Sequence, residues 1–101
     1  MSQKKVLIVD DEPHIMELLR MNMHQNGYDC LCVASGEDAI IAVRAYQPDV
    51  ILLDVMLPGI RGLEVCERIK QDKAQVHIPI ILLTARSEEN DKITGFDVGA
   101  D

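Results

Sequence analysis

A run of apolar residues that carries an acid at its end constrains the fold of this chain more than any other feature. Four apolar residues, Val50-Ile-Leu-Leu53, precede Asp54, and three more follow it before the chain reaches Pro58-Gly59. A continuous apolar run of this length is typical of a strand that is buried on both faces, as in a parallel sheet. Because an ionised carboxylate buried without a partner costs several kcal/mol or becomes protonated, we expect a cation or hydrogen-bond donors next to Asp54.

The residues before this run alternate between short apolar strands and helices. Lys5–Val9 is typical of a strand. The acids at 10–12 and Pro13 then favour the start of a helix, because proline suits the first turn and acids suit its positive end. Asn26-Gly27 is a stop signal for that helix. Apolar residues at helical spacing predict its buried face, which consists of Ile15, Leu18, Leu19 and Met23.

The rest of the chain continues this alternation. A weaker strand at 28–33 precedes Ser35, which begins a capping box for a helix that ends at Pro48. Another helix follows the strand of Asp54, and Ile78–Leu83 forms a fourth strand before a last helix capped by Ser87. This order predicts a single α/β domain over residues 1–101, with a parallel sheet and right-handed crossovers. The expected core positions of these helices are Ala39, Ile40, Val43, Tyr46, Val65, Cys66, Ile69, Ile93, Phe96 and Val98.

Charge and composition argue against several classes of protein. Ten basic and seventeen acidic residues give a net charge of −7, so nucleic acid and anionic membranes should repel this chain. No apolar run approaches the roughly 20 residues that span a bilayer, and we expect neither a membrane span nor a signal peptide. An odd number of cysteines, Cys30, Cys32 and Cys66, suits a reducing compartment, so we expect a cytoplasmic protein.

Polar residues follow three of the predicted strands. Asp10 and Asp11 follow the first strand, Asp54 ends the third, and Thr84 follows the fourth. Because the carboxyl ends of parallel strands lie along one edge of a sheet, these four side chains should converge. Three carboxylates within a few ångströms repel one another, and oxygen ligands with room for water suit Mg²⁺. A carboxylate beside Mg²⁺ can also attack phosphorus and form an aspartyl phosphate, with Thr84 donating to a phosphoryl oxygen.

This set of residues resembles the receiver domain of bacterial two-component response regulators. The matching elements are Asp10-Asp11 after the first strand, Asp54 with its Pro58-Gly59 loop, and Thr84-Ala85 after the fourth strand. The resemblance covers the whole chain and implies a flavodoxin-like parallel sheet of order 2-1-3-4-5. It also implies that Asp54 accepts a phosphoryl group from a phosphohistidine of a sensor kinase, and that Thr84 then moves toward that group as the switch.

The resemblance further implies a metal site, partners and a longer family pattern. Mg²⁺ would be bound directly by Asp11, Asp54 and the main-chain carbonyl of Met56, while Asp10 would act through water. The partners would be a sensor histidine kinase and a C-terminal DNA-binding domain outside this sequence, so the protein would regulate transcription; a homodimer is left open. The sequence ends at Asp101, before the family's lysine, fifth strand and fifth helix, and we therefore expect a receiver domain that is incomplete at its C-terminus.

Each of these residues also has an ordinary structural explanation. Asp10 and Asp11 could stabilise the start of a helix, and Asp54 could be a hydrogen-bonded structural acid. Thr84 could be a strand residue whose hydroxyl is satisfied locally. The coincidence of all four residues at one edge of the sheet favours a functional site instead.

Three other functions compete with a phosphoacceptor switch that assists its own phosphorylation and dephosphorylation. An aspartate-nucleophile phosphatase usually carries a second acid two residues after the nucleophile, where this chain has Met56. A flavodoxin-like flavin binder needs small hydroxyl residues and glycine after the first strand, where the acids at 10–12 would repel a phosphate. An interaction-only receiver is the remaining alternative, because the sequence lacks the family's lysine.

Overall fold

The structure of the chain is a computed structural model that describes residues 3–57 and 59–83. Within these ranges four strands alternate with three helices, as predicted, and no helix is long and apolar enough to cross a bilayer. The predicted helix after Ser87, with its core positions Ile93, Phe96 and Val98, lies outside the described residues. The elements are β1 (Lys5–Val9), α1 (Pro13–Gln25), β2 (Asp29–Val33), α2 (Gly36–Tyr46), β3 (Val50–Asp54), α3 (Gly62–Gln71) and β4 (Ile80–Leu83).

The four strands form one parallel sheet in the order β2-β1-β3-β4, which confirms the predicted order for these strands. β1 and β3 lie in the middle of the sheet. Val9 of β1 is paired with Val33 on one side and with Leu53 on the other. Both central strands are buried along almost their whole length, which explains their continuous apolar sequences.

Helices cover the two faces of the sheet. On one face Val43 of α2 and Val65 of α3 belong to the same buried cluster as Leu7 and Leu53 of the central strands. α1 lies on the other face, over a smaller core. That core comprises Val6, Ile8 and Leu52, with Met16, Leu19 and Met23 of α1 packed against it.

The buried face of α1 differs in part from the predicted one. Leu19 and Met23 pack on the sheet as expected, together with Met16. Ile15 and Leu18, however, are 37% and 57% exposed. Two apolar stripes share this helix and are offset by one residue, or about 100° around its axis. A helix that rests on a single sheet buries only a narrow stripe, so the side chains of the second stripe project away from the contact.

α2 begins and ends at the predicted signals. The Ser35 side-chain Oγ accepts a hydrogen bond from the Asp38 N–H at 3.1 Å, which satisfies one of the donors that a first helical turn leaves unpaired. At the other end Gln47 adopts a left-handed φ of 55°, and Pro48 cannot continue the helix. The cap fixes the start of α2, where Gly36 lies against the loop that follows β3.

Replacing the N-cap of α2 tests this account of the fold. We expect Ser35→Ala to lower the free energy of unfolding by about 1 kcal/mol, because the Asp38 N–H loses its acceptor. Ser35→Asp supplies an equivalent acceptor and should keep the stability of the original protein. Urea denaturation followed by circular dichroism measures both variants, and equal stability of Ser35→Ala and Ser35→Asp would contradict the role of the cap.

Candidate functional site

Three acids lie together at the carboxyl edge of the sheet. Asp10 and Asp11 directly follow β1, and Asp54 is the last residue of β3, the strand next to it. Since Val9 is paired with Leu53, the residues after this pair emerge at the same level of the sheet. This arrangement confirms that the three acids converge, whereas Thr84, the fourth predicted residue, lies outside the described residues.

Asp10, Asp11 and Asp54 are called the acidic cluster from here on. One carboxylate oxygen from each residue lies within 4.8 Å of those from the other two. Asp10 is 4% and Asp54 is 2% exposed, while Asp11 is open to solvent. At such a separation two unit negative charges repel each other by roughly 3 kcal/mol for an effective dielectric constant of about 20. The cluster therefore creates a strongly negative site with one side accessible from water.

Local hydrogen bonds orient two of the carboxylates. Asp54 Oδ1 accepts the Met56 N–H at 3.0 Å, and Asp10 Oδ1 accepts the Glu12 N–H at 2.9 Å. In both cases an aspartate at the end of a strand binds the backbone two residues further on, which is the usual geometry of an Asx turn. These bonds fix the direction of each carboxyl group at the point where its strand ends.

The second oxygen of Asp54 is the unusual atom of the site. Asp54 Oδ2 is buried and has no hydrogen-bond partner among the described residues. Leaving a buried charged oxygen without a donor is costly, so this atom needs a cation or a water molecule. Because Asp54 belongs to the acidic cluster, a cation is the favoured partner of this oxygen.

The donor set of the acidic cluster fits a hard divalent cation. Three carboxylates provide only oxygen ligands, and the exposed Asp11 leaves a side open for the water molecules that Mg²⁺ retains. No other group of three histidine, cysteine or acidic residues with this spacing occurs within residues 3–57 and 59–83. The Met56 N–H contacts Asp54, which places the main chain of Met56 beside the cluster; the metal-binding role of its carbonyl stays a prediction.

The cysteines do not form a competing site. Cys30 and Cys32 are free, half-buried thiols of β2, on the side of the sheet covered by α1, and Cys66 is buried in the larger core. Burial raises the pKa of the Cys30 and Cys32 thiols above the usual value. Because the thiolate is both the nucleophile and the metal ligand, these two side chains are poorly suited to either role at neutral pH.

A glycine behind the site was not recognised from the sequence. The Gly62 N–H donates to the Val55 carbonyl at 3.1 Å, so the start of α3 is bonded to the turn after β3. A Cβ at position 62 would overlap the Asp54 carbonyl oxygen and would lie 2.7 Å from Val55 Cα. The sequence shows glycines at positions 59 and 62, but their spacing alone predicts only a loop.

Substitution of Gly62 tests whether the close packing of α3 against the turn after β3 affects cation binding at the acidic cluster. Gly62→Ala should lower the free energy of unfolding by about 1–3 kcal/mol, as overpacking does. It should also weaken divalent-cation binding by the acidic cluster about tenfold, or about 1.4 kcal/mol, because the main chain of Asp54 and Val55 has to shift. Urea denaturation and calorimetric titration with Mg²⁺ measure the two effects.

A second glycine gives the matched control. Gly27 has a φ of 89°, so alanine there costs about 1–2 kcal/mol in backbone strain. No atom of the described residues lies within 4 Å of the added Cβ, and Gly27 is at the opposite edge of the sheet. Gly27→Ala should therefore lose stability but keep its cation affinity. Unchanged affinity in Gly62→Ala would show that this residue does not position the site.

Comparison with known families and proteins agrees with this arrangement. The family model described as "Response regulator receiver domain" matches residues 6–101. PhoP of Bacillus subtilis (strain 168), an alkaline phosphatase synthesis transcriptional regulatory protein, is 46% identical to this chain over 98 residues. The matched segment is 97% of this chain and 40% of PhoP, so the chain spans well under half the length of that relative.

Solved structures give the same result at the level of the fold. A chain from Chloroflexus aurantiacus J-10-fl that is named as a response regulator has a TM-score of 0.89 and 37% identity, covering 99% of this chain and 82% of its own length. The response regulator TrrA of Thermotoga maritima, in complex with Mg²⁺-BeF, has a TM-score of 0.80 and 38% identity, covering 97% and 82%. The chain therefore belongs to the response regulator receiver domain family.

Proposed function

We propose that this chain is a phosphoacceptor switch of a two-component signalling system and that Asp54 receives the phosphoryl group. The observation that carries the proposal is the buried, unpartnered Oδ2 of Asp54 within the acidic cluster. A carboxylate oxygen in this position is held ready to react, because the Met56 N–H already occupies Oδ1. Membership in the receiver family supports the same assignment.

Mg²⁺ is the cofactor of this proposed reaction. Asp11 and Asp54 would bind the ion directly, together with the main-chain carbonyl of Met56, while Asp10 would act through a water molecule. The bound ion would neutralise charge on the phosphoryl group during transfer. The TrrA relative contains Mg²⁺-BeF in its solved structure, which supports the choice of ion.

The transfer itself exchanges one bond to phosphorus for another. Asp54 Oδ2 attacks the phosphorus of a phosphohistidine on a sensor kinase, the new O–P bond forms, and the N–P bond breaks with its electron pair returning to the imidazole. Because Asp54 is 2% exposed, bulk water is excluded from the acceptor oxygen. The same burial limits hydrolysis of the product until the chain itself positions a water molecule.

The switch would be read at the end of β4. Leu83, the last residue of β4, is paired with Asp54. The phosphoryl group adds a charge of about −2, and the hydroxyl of Thr84 would donate a hydrogen bond to one of its oxygens. Movement of Thr84 toward that group would change the surface that a partner contacts. A DNA-binding effector domain outside this sequence, and a second copy of the chain, are the partners we propose for transcriptional output in the cytoplasm.

The alternatives are less well supported by the described residues. An aspartate-nucleophile phosphatase would need an acid at position 56, where the side chain is a half-exposed methionine. A flavin phosphate would meet the negative charge of Asp10 and Asp11 after β1. An interaction-only receiver would have no need for an unpartnered buried carboxylate oxygen, which is costly to maintain.

Phosphorylation by a small donor tests the proposed function directly. Incubation with acetyl phosphate and Mg²⁺ should add one phosphoryl group, a mass gain of roughly 80 Da, as an acid-stable and base-labile acyl phosphate. The Asp54→Asn variant should gain no mass. Glu67→Gln, which removes one charge from an exposed position of α3, is the matched control and should be modified normally. Modification of Asp54→Asn, or modification without Mg²⁺, would overturn the assignment.

The acidic cluster also predicts how stability responds to the ion. Without Mg²⁺, Asp54→Asn should unfold at a higher temperature than the original protein, because the substitution removes like-charge repulsion within the cluster. At a Mg²⁺ concentration tenfold above its dissociation constant the original protein should gain about 1.4 kcal/mol, whereas Asp54→Asn should gain much less. Thermal unfolding with and without Mg²⁺ measures both effects, and equal stabilisation of the two proteins would place the ion elsewhere.

A further inference from the structure

A small, mainly apolar cavity with a few polar groups lies at the edge of the sheet opposite the acidic cluster. Lys5, at the start of β1, donates to the Tyr46 carbonyl at the end of α2, so the carboxyl ends of the helices lie at the amino edge of the strands. The cavity opens between α2, α3 and the loop after α3, and it has a volume of about 20 Å³. Val43 and Ile69 form apolar walls, and Arg44, Asp72 and Gln75 supply polar groups.

Gln75, which lines this cavity, carries an unusual atom. The residue is 5% exposed, and its side-chain Oε1 is buried with no hydrogen-bond partner among the described residues. Its main chain is fixed, because the Gln75 N–H donates to the Asp72 carbonyl at 2.8 Å and its own carbonyl accepts from Ile78. The loop therefore cannot easily swing this acceptor into solvent, and the oxygen needs a donor where it lies.

A second observation points to the same cavity. Arg44 Nε and Asp72 Oδ2, which join α2 to the end of α3, are 3.6 Å apart. This ion pair is longer than a direct hydrogen bond between charged groups, and its Arg44 side chain is 68% exposed, so water can reach the pair. The side chain of Arg68 lines the same cavity and offers further donors.

We propose that the cavity is a binding site for a single water molecule that forms part of the folded structure. The water donates one hydrogen bond to Gln75 Oε1 and the other to the Asp72 carboxylate, and it accepts a hydrogen bond from a guanidinium group of Arg44 or Arg68. The volume of the cavity is sufficient for one water molecule but not for a larger ligand. A buried water usually forms hydrogen bonds with two to four polar groups around it. The water joins the loop at 72–79 to α2 or to α3 at a position remote from Asp54, so the proposal is independent of the phosphoacceptor function.

Detection of a long-lived water tests this proposal. In nuclear magnetic resonance spectra the methyl groups of Val43 and Ile69 and the side-chain amide of Gln75 should show through-space transfer from a water that resides longer than surface water. Gln75→Met keeps the length of the side chain and removes the acceptor, so it should lose this signal and unfold at a lower temperature. Asp72→Asn retains an acceptor oxygen and should keep the signal.

Two results would overturn the proposal. The first is the absence of a long-lived water beside Ile69 in the original protein, measured where its own methyl signals show that it is folded. The second is a Gln75→Met variant that is more stable than the original protein. Removing a buried acceptor that has no partner relieves the free-energy cost of leaving it unsatisfied, whereas removing an acceptor that binds water does not. If Gln75→Met does not fold, Gln75→Leu provides the same comparison.

Discussion

Repulsion between three carboxylates is the constraint around which this domain is built. Asp54 is far from Asp10 and Asp11 in the sequence, and the pairing of β1 with β3 brings one carboxylate oxygen from each of the three within 4.8 Å of the others. The free energy that maintains this arrangement comes from the apolar core beneath it, because the residues before each acid are buried on both faces of the sheet. Such a site is stable in the fold but carries uncompensated negative charge, which the proposed cation would balance.

The turn after β3 connects the packed core to the acidic cluster. Gly62 allows α3 to begin in contact with the Asp54 carbonyl. Gly36 allows α2 to approach the same loop, where a Cβ would lie 2.9 Å from the Ile60 carbonyl oxygen. α2 and α3 thus both contact the segment that follows Asp54. A side chain at position 62 would displace the Asp54 backbone, although Gly62 itself offers no ligand.

The sequence predicted the elements that depend on strong local signals and repeated patterns. The strands ending at Val9 and Asp54, the Ser35 cap and the convergence of three acids follow from apolar runs, capping residues and the geometry of parallel sheets. The sequence did not predict which face of α1 packs on the sheet, because the helix carries two apolar stripes with the same spacing. The roles of Gly62 and Gln75 depend on contacts between distant segments, which no local pattern encodes.

The central claim is that the acidic cluster binds a divalent cation, and paramagnetic relaxation locates such an ion most directly. Mn²⁺ accepts the same oxygen ligands as Mg²⁺ and broadens the resonances of nearby amides. Low concentrations of Mn²⁺ should broaden the amides at 10–12 and 54–56, leave Gly27 and Gln75 at the opposite edge sharp, and have little effect on Asp54→Asn. Broadening centred on any other group of residues, or identical broadening in the variant, would contradict this account of the site.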